Sequence, residues 1–422
     1  MAKRGLARVV GAGVVGTTVE FYDFFLYGAA AATVFGPVFF PESSGLIGTL
    51  QALLTYAVGF VARPLGGVVF GHYGDRVGRK RLLAISLGLM GVSSMLIGVL
   101  PGYAEIGVLA PILLTALRLV QGFALGGEFG GAVLLVAEHG PAERRGFWTA
   151  WPQTGGPLGN LLATGALAGM AALTSVEQYA SWGWRLPFLA SVALVVIGLW
   201  VRLRVAESPL FNAVKEKPTR SPVREAVRRH PKELFCVFAA RVGENSAFYV
   251  FTIFLLVYAD HIGLPRSVAA AAVMVGSLAQ VLAMVAGGAL SDRFGRRPVA
   301  IVSAVAAAGW SAAFFPLVAT KEQSSVLLAV GVGLLLHGLL TGSQSAFYAE
   351  LFDTTVRYSG VSLGYQAATM LAGAAGPLVG TALLSSTGST VPVALLLAAS
   401  LGLTVVGMAL APETSRSRLS ER

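Results

Sequence analysis

Seven ionisable side chains fall inside stretches that are otherwise apolar: Glu20, Asp23, Arg63, Arg118, Glu128, Arg241 and Glu244. A charge at the centre of a bilayer costs ~2.5–3.5 kcal/mol, so the set would cost about 20 kcal/mol if left unpaired. Such residues are expected to face a polar cavity and one another. Four acids against three arginines leave one excess negative charge, which protonation of one carboxylate cancels. Burial disfavours the charged form of a carboxyl and a nearby arginine favours it. An acid held between these influences can load a proton on one side of a membrane and release it on the other.

Spacing assigns roles within the set. Glu20 and Asp23 are three apart and Tyr27 lies four beyond Asp23, so the three share one helical face, and either acid is the expected proton carrier. Arg118 and Gln121 also share a face; the planar fork of arginine suits a carboxylate, either a bound one or that of the proton carrier. Glu128, set between Gly126-Gly127 and Gly130-Gly131, is expected to pack against a close neighbouring helix or to join the proton-coupling group. Arg241 and Glu244 are three apart and either neutralise each other or serve a ligand; Asn245 and Tyr249 extend a polar strip beside them. With Tyr27, Arg63, Gln121 and Gln153, these four are the expected small-molecule contacts. Arg63 precedes Pro64 and is equally suited to a gate or an anchor. Trp148 and Trp151 are expected to line the cavity or to anchor at an interface, and His337 to be a hydrogen-bonded packing residue. The other histidines lack metal-ligand spacing, so no metal and no cofactor are expected.

These residues need elements to hold them. Of the 422 residues 55% are hydrophobic and only 12% charged, about half the charge of a soluble domain. That excludes a soluble enzyme and a nucleic-acid-binding domain. Apolar runs fall at about 9–36, 45–71, 82–100, 106–136, 147–173 and 183–201, then at about 234–259, 267–290, 298–319, 324–349, 358–385 and 389–411. At ~20 residues per crossing, this predicts an all-α integral membrane protein of twelve transmembrane helices. Residues 1–204 form one six-helix bundle, 205–232 a linker with a surface helix near Val223–Arg229, and 233–422 a second bundle with a short tail. Numbering the loops alternately, 25 of the 31 lysines and arginines fall on one side and three on the other. The positive-inside rule then makes both termini and the linker cytoplasmic, in a plasma (inner) membrane protein. The pI near 9.9 follows from topology, and no nucleic-acid partner is expected. A monomer in the lipid bilayer is the expected state.

The halves repeat. Gly71-His-Tyr-Gly-Asp75-Arg76-Val-Gly-Arg79-Lys80 returns 217 residues later as Gly288-Ala-Leu-Ser-Asp292-Arg293-Phe-Gly-Arg296-Arg297. Glu138 with Arg145 returns as Glu350 with Arg357, and Gly156-Pro157-Leu158 as Gly376-Pro377-Leu378. Asp75, Arg76, Arg79, Asp292, Arg293 and Arg296 are expected to form a gate. A carboxylate there can accept hydrogen bonds from a neighbouring helix N-terminus and from loop arginines, and hold that end shut. Two related bundles enclosing a midplane site are the architecture of a carrier, and no nucleophile–base pair suggests an enzyme.

The loop motif resembles the signature of the major facilitator superfamily, and Arg118-Leu-Val-Gln121-Gly122 resembles the Arg-x-x-Gln-Gly motif of its proton-coupled members. Glu20-Phe-Tyr-Asp23-Phe-Phe-Leu-Tyr27-Gly28, together with Arg118 to Glu128, is similar to the metabolite:proton symporter branch, which includes permeases for proline and betaine, α-ketoglutarate, citrate and shikimate. The resemblance covers essentially the whole chain. It implies uptake of a small organic acid or zwitterion with protons, with Arg118 tuning the proton-carrying acid.

Overall fold

The computed structural model describes residues 3–43, 45–77, 79–204 and 222–415; the side chains of residues 3–4, 32, 45–47, 49–50, 74–77, 79, 128–130, 266 and 374–377 lie outside that description. The expected gate residues Asp75, Arg76 and Arg79 and the expected proton-coupling residue Glu128 therefore fall outside the described side chains. Among the described residues there is no β-strand.

Spans one to three are Lys3–Thr33, Gly45–Val77 and Arg79–Val99. Span four consists of two helices, Leu109–Leu125 and Glu128–His139. Spans five and six are Ala142–Leu173 and Arg185–Leu203. After the short helix Pro222–Arg229 come Pro231–His261, Arg266–Phe294, Arg296–Ala319, Gln323–Glu350, Arg357–Thr387 and Val391–Leu410 as spans seven to twelve. Eleven are individually long and apolar enough to cross a membrane; span four reaches that length only as a pair. Leu282, Val302, Leu65 and Val196 stay exposed along these helices, as lipid-facing side chains do.

Span four breaks at Gly126-Gly127 because span two crosses it there. A Cβ on Gly126 would lie 2.3 Å from the Arg63 carbonyl oxygen, and one on Gly122 would lie 2.0 Å from that of Gly59. Glycine pairs of this kind let membrane helices touch backbone to backbone. Gly122→Leu is accordingly expected to lower folded yield and thermal stability, at a cost of about 3 kcal/mol or more from overpacking, read by fluorescence-detected size exclusion after heating. The carbonyls freed by the break do not go unpaired. The Gln366 amide in span eleven donates to Gly126 O at 3.0 Å and Leu125 O at 3.3 Å, and the Tyr358 hydroxyl donates to Gly127 O. The second half thus completes the backbone bonding of the first.

The halves meet along spans two and eleven and along spans five and eight. Gly146 and Gly288 form one such contact: a Cβ on either would come within 2.5 Å of the other's carbonyl oxygen. Span five is interrupted by a kink at Thr154, just after Pro152. Gly155 and Gly159 make the close approach there, to Thr17 and Thr18, whereas Gly156 faces open space.

Candidate functional site

Span one presents Asp23 toward spans three and six. Asp23 is fully buried, neither carboxyl oxygen makes a hydrogen bond, and the hydroxyls of Ser94 and Ser191 lie beside it. The two serines differ in what they can offer. Ser94 Oγ accepts from Gln121 Nε2 at 2.8 Å, which leaves its own proton to turn toward Asp23. The Ser191 hydroxyl donates to Phe188 O at 2.7 Å, which leaves its oxygen free to accept. One neighbour suits the carboxylate and the other suits the acid, so this environment tolerates both protonation states.

Arg118 is also fully buried. Its guanidinium carbon sits 4.1 Å from the Phe24 ring centroid, 4.4 Å from Tyr27 and 4.5 Å from Tyr56. Desolvated cation–π contacts of this kind contribute ~2 kcal/mol or more. Its one hydrogen bond is to a neutral group, Nη1 to Gln121 Oε1 at 3.0 Å, while Nε and Nη2 have none. Gly59 makes room for it, since a Cβ there would lie 2.6 Å from Arg118 Nε. Arg63 stacks on the same Phe24 ring at 4.2 Å, and its Nε and Nη2 are likewise buried without a partner. The Tyr27 hydroxyl is tied to Thr55 Oγ1 at 2.5 Å, so Tyr27 acts as a wall under Arg118. Phe25–Phe248 and Phe60–Tyr249 join the halves at this level, with ring centroids 5.7 and 5.6 Å apart.

The second half carries a network that is satisfied internally. Arg241 pairs with Glu244, donates to Asn245 Oδ1 at 3.1 Å and lies 4.0 Å over the Tyr365 ring. Glu244 also receives His337 Nε2 at 2.9 Å and the Thr341 hydroxyl at 2.8 Å. The Gln280 amide meets His337 Nδ1 at 2.7 Å. His337, expected from the sequence as a hydrogen-bonded packing residue, is one of three partners of Glu244, and its lone position on an apolar helix does not reveal which group it bonds. Gln153 is half-buried at the span-five kink, and Trp148 and Trp151 pack on Leu6, Val9 and Leu135 inside the first bundle.

Glu20 belongs elsewhere than expected. Its carboxylate pairs with Arg202 at 2.7 Å and receives the Ser86 hydroxyl at 3.2 Å. The sequence leaves Arg202 out of the buried charged set, whereas the structure buries it at the end of span six with 4% of its side chain exposed. With Arg202 added, the count becomes four acids against four arginines. Glu20 with Arg202 and Glu244 with Arg241 form neutral pairs. That leaves Asp23, and Glu128 outside the described side chains, with Arg63 and Arg118.

At the basic end, where Arg145, Arg296 and Arg357 lie, the halves are locked. Asp292 accepts from the backbone N–H of Gly146 and of Phe147, each at 2.8 Å, at the N-terminus of the helix beginning at Arg145. It also pairs with Arg296 at 2.6 Å. The repeated glutamate–arginine spacing turns out to be exchanged between the halves: Glu138 pairs with Arg357 at 3.1 Å, and Glu350 with Arg145 at 2.8 Å and Arg296 at 3.2 Å. Arg293 is exposed over Phe294 and stays outside this network. Beyond span twelve, Thr414 donates to Glu350 at 2.7 Å, and Glu413 accepts from the N–H of Arg296 at 2.9 Å and of Arg297 at 3.0 Å. Burial works against the Glu413 carboxylate, but the backbone donors, Arg296 first, outweigh it and hold its pKa below the usual range. Its contribution is therefore complete above the ordinary glutamate pKa and fades only as pH falls through the lowered value.

The Major Facilitator Superfamily model matches residues 14–366. The chain is 38% identical over 420 residues to the inner membrane metabolite transport protein YhjE of Escherichia coli (strain K12), covering 98% of this chain and 95% of that one. It is 41% identical over 380 residues to the shikimate transporter of the same organism, covering 88% and 86%. Its backbone superposes on the proton:xylose symporter XylE bound to 6-bromo-6-deoxy-D-glucose with a TM-score of 0.81 at 17% identity, over 100% of this chain and 99% of that one. The chain is a multi-pass membrane protein of the Major Facilitator Superfamily, a family of transporters and not of enzymes, and within it falls in the metabolite:proton symporter branch.

Proposed function

We propose that this protein is a proton-coupled symporter that imports a small organic anion, with Asp23 carrying the proton and Arg63 and Arg118 holding the substrate carboxylate. The observation that carries this reading is found among the described side chains of the first half: two buried guanidinium groups with unpartnered nitrogens and one buried carboxyl with no bond. Coupling follows from electrostatics. An ionised Asp23 and a bound carboxylate repel each other by roughly 3 kcal/mol for a separation of about 6 Å and an effective dielectric constant near 20. Protonating Asp23 removes that repulsion, so anion and proton favour each other's binding to the same extent. A zwitterion fits less well, because its ammonium group would need a carboxylate and Glu20 and Glu244 are already occupied. The relation to a shikimate transporter supports a carboxylate substrate.

In this reading the locked basic end is cytoplasmic, which the distribution of lysine and arginine supports. Residues 1–204 and 233–422 rock as two bodies of a monomer in the inner membrane. Gln121 tunes Asp23 through Ser94, while Arg241, Glu244, Asn245 and Tyr249 form the facing wall.

The assignment of Arg63 has a measurable consequence. Truncating one partner of a buried charge contact costs about 2–4 kcal/mol, so Arg63→Ala is expected to weaken substrate binding roughly 30- to 1000-fold. Binding of a panel of mono- and dicarboxylates to purified protein tests this. Unchanged affinity in Arg63→Ala would move the carboxylate site elsewhere, and tight binding of neutral or cationic compounds alone would refute an anion carrier.

A further inference from the structure

A narrow crevice enters the first bundle at its basic end, between spans one, three, four and six. Lys80 and Arg202 supply its polar lining, and Val9, Leu83, Ala132 and Leu135 its apolar walls. With two cationic donors beside it, that space can hold about one water molecule. Arg202 closes its inner end. The guanidinium lies flat on Gly16, where a Cβ would be 2.2 Å from Nε, with Nη1 bound to Glu20 and to Leu83 O at 2.7 Å. Nη2 is buried and has no partner. Glu20 follows one turn beyond Gly16, and Asp23 one turn beyond Glu20. Spans three and six serve both acids of span one: Ser86 and Arg202 touch Glu20, and Ser94 and Ser191 flank Asp23. Around the Glu20 layer, Val19, Leu87 and Val195 pack into a dry collar.

We propose that the Glu20–Arg202 ion pair seals a proton path that runs through the first bundle from Asp23 to water at the basic end, separate from the opening between the halves through which substrate leaves. Opened, the path lets the acid form of Asp23 give its proton to a water file that passes Glu20 and Arg202 and emerges at Lys80. Closed, it keeps Asp23 from exchanging with that side while the other side is accessible. A carrier without this seal would dissipate the gradient that drives it. The charged groups that face the path among the described residues are Glu20, Arg202, Lys80 and Asp23, with Arg118 beyond its inner end.

This inference rests on Asp23 as the proton carrier, and the assay separates the two claims. Proteoliposomes holding a pH-sensitive dye are given a pH step without substrate. Wild type is expected to be tight. Arg202→Gln is expected to admit protons at least about tenfold faster, and Asp23→Asn in the same background to restore tightness. A tight Arg202→Gln, or a leak that survives Asp23→Asn, overturns the path. Accumulation retained in the single Asp23→Asn variant would instead sink the symport reading. Should Arg202→Gln fail to fold, Ala132→Cys with a small charged thiol reagent decides. Reaction of the introduced thiol in the absence of substrate supports a wet crevice, and an inert thiol there, beside a reactive Lys80→Cys control, refutes it. The native Cys236 is buried and gives a low background.

Discussion

Asp23→Asn is expected to abolish concentrative uptake while leaving substrate exchange across the membrane intact. One pH unit is worth about 1.4 kcal/mol, so a carrier moving one proton with one monoanion accumulates substrate about tenfold per unit of gradient. The asparagine variant is expected to show an accumulation ratio of one at every gradient. Exchange should persist because asparagine mimics the neutral acid: Ser191 can still accept a hydrogen bond from it, and no negative charge opposes the substrate. The Arg118–Gln121–Ser94 chain is retained, with bonds of 3.0 and 2.8 Å. Counterflow of labelled substrate in proteoliposomes measures exchange, and accumulation under an imposed gradient measures coupling. Accumulation that still follows the gradient would exclude Asp23. The Glu20→Gln variant behaves differently in this account, since Glu20 is paired with Arg202 and stands on the path and not at the site.

Asp292→Asn is expected to open the basic end. Asp292 caps a helix of the opposite half with two 2.8 Å bonds and pairs with Arg296 at 2.6 Å. Asparagine keeps one acceptor oxygen and loses the charge. Charge-assisted bonds contribute about 1.5–3 kcal/mol each, so a net loss of about 3 kcal/mol shifts the closed-to-open equilibrium by roughly 100-fold. Arg144 and Arg293 are both exposed at this end on facing halves, and spin labels there report the separation. A broadened, longer distance distribution with slower uptake is the expected result. Glu350→Gln should act in the same direction, because Glu350 gathers Arg145, Arg296 and Thr414. An unchanged distribution in both variants would show that the remaining contacts between the halves, Glu138 with Arg357 and Gly146 with Gly288, are enough to close this end.

The sequence reveals the elements of this fold more readily than their partners. Hydrophobic run length identifies the crossings, and the duplicated loop identifies the halves, because both depend on local pattern. Span four reads as one run, since apolar side chains continue through Gly126-Gly127; the break arises from a crossing by span two, which is a tertiary event. The glutamate–arginine repeat likewise reads as a spacing within each half. Only the folded structure shows the exchange of partners between Glu138 with Arg357 and Glu350 with Arg145. Arg202 was missed for a related reason. It follows the last apolar residues of span six and looks like the first basic residue of the linker, yet the helix continues to Leu203 and carries it inward. That one placement changes the count of span charges from one excess acid to four acids against four arginines. Arginine after an apolar run and one helical turn from a glycine-lined partner is the signal that could have indicated it.

The central claim is that one anion and one proton travel together through the site of Asp23, Arg63 and Arg118. The most direct measurement is proton movement driven by a substrate gradient alone, in proteoliposomes with no imposed pH difference or membrane potential. The account predicts that an inward carboxylate gradient acidifies the lumen with one proton per anion, and that Asp23→Asn removes the acidification while counterflow continues. Carboxylate entry without any lumenal pH change in the wild-type protein would contradict it.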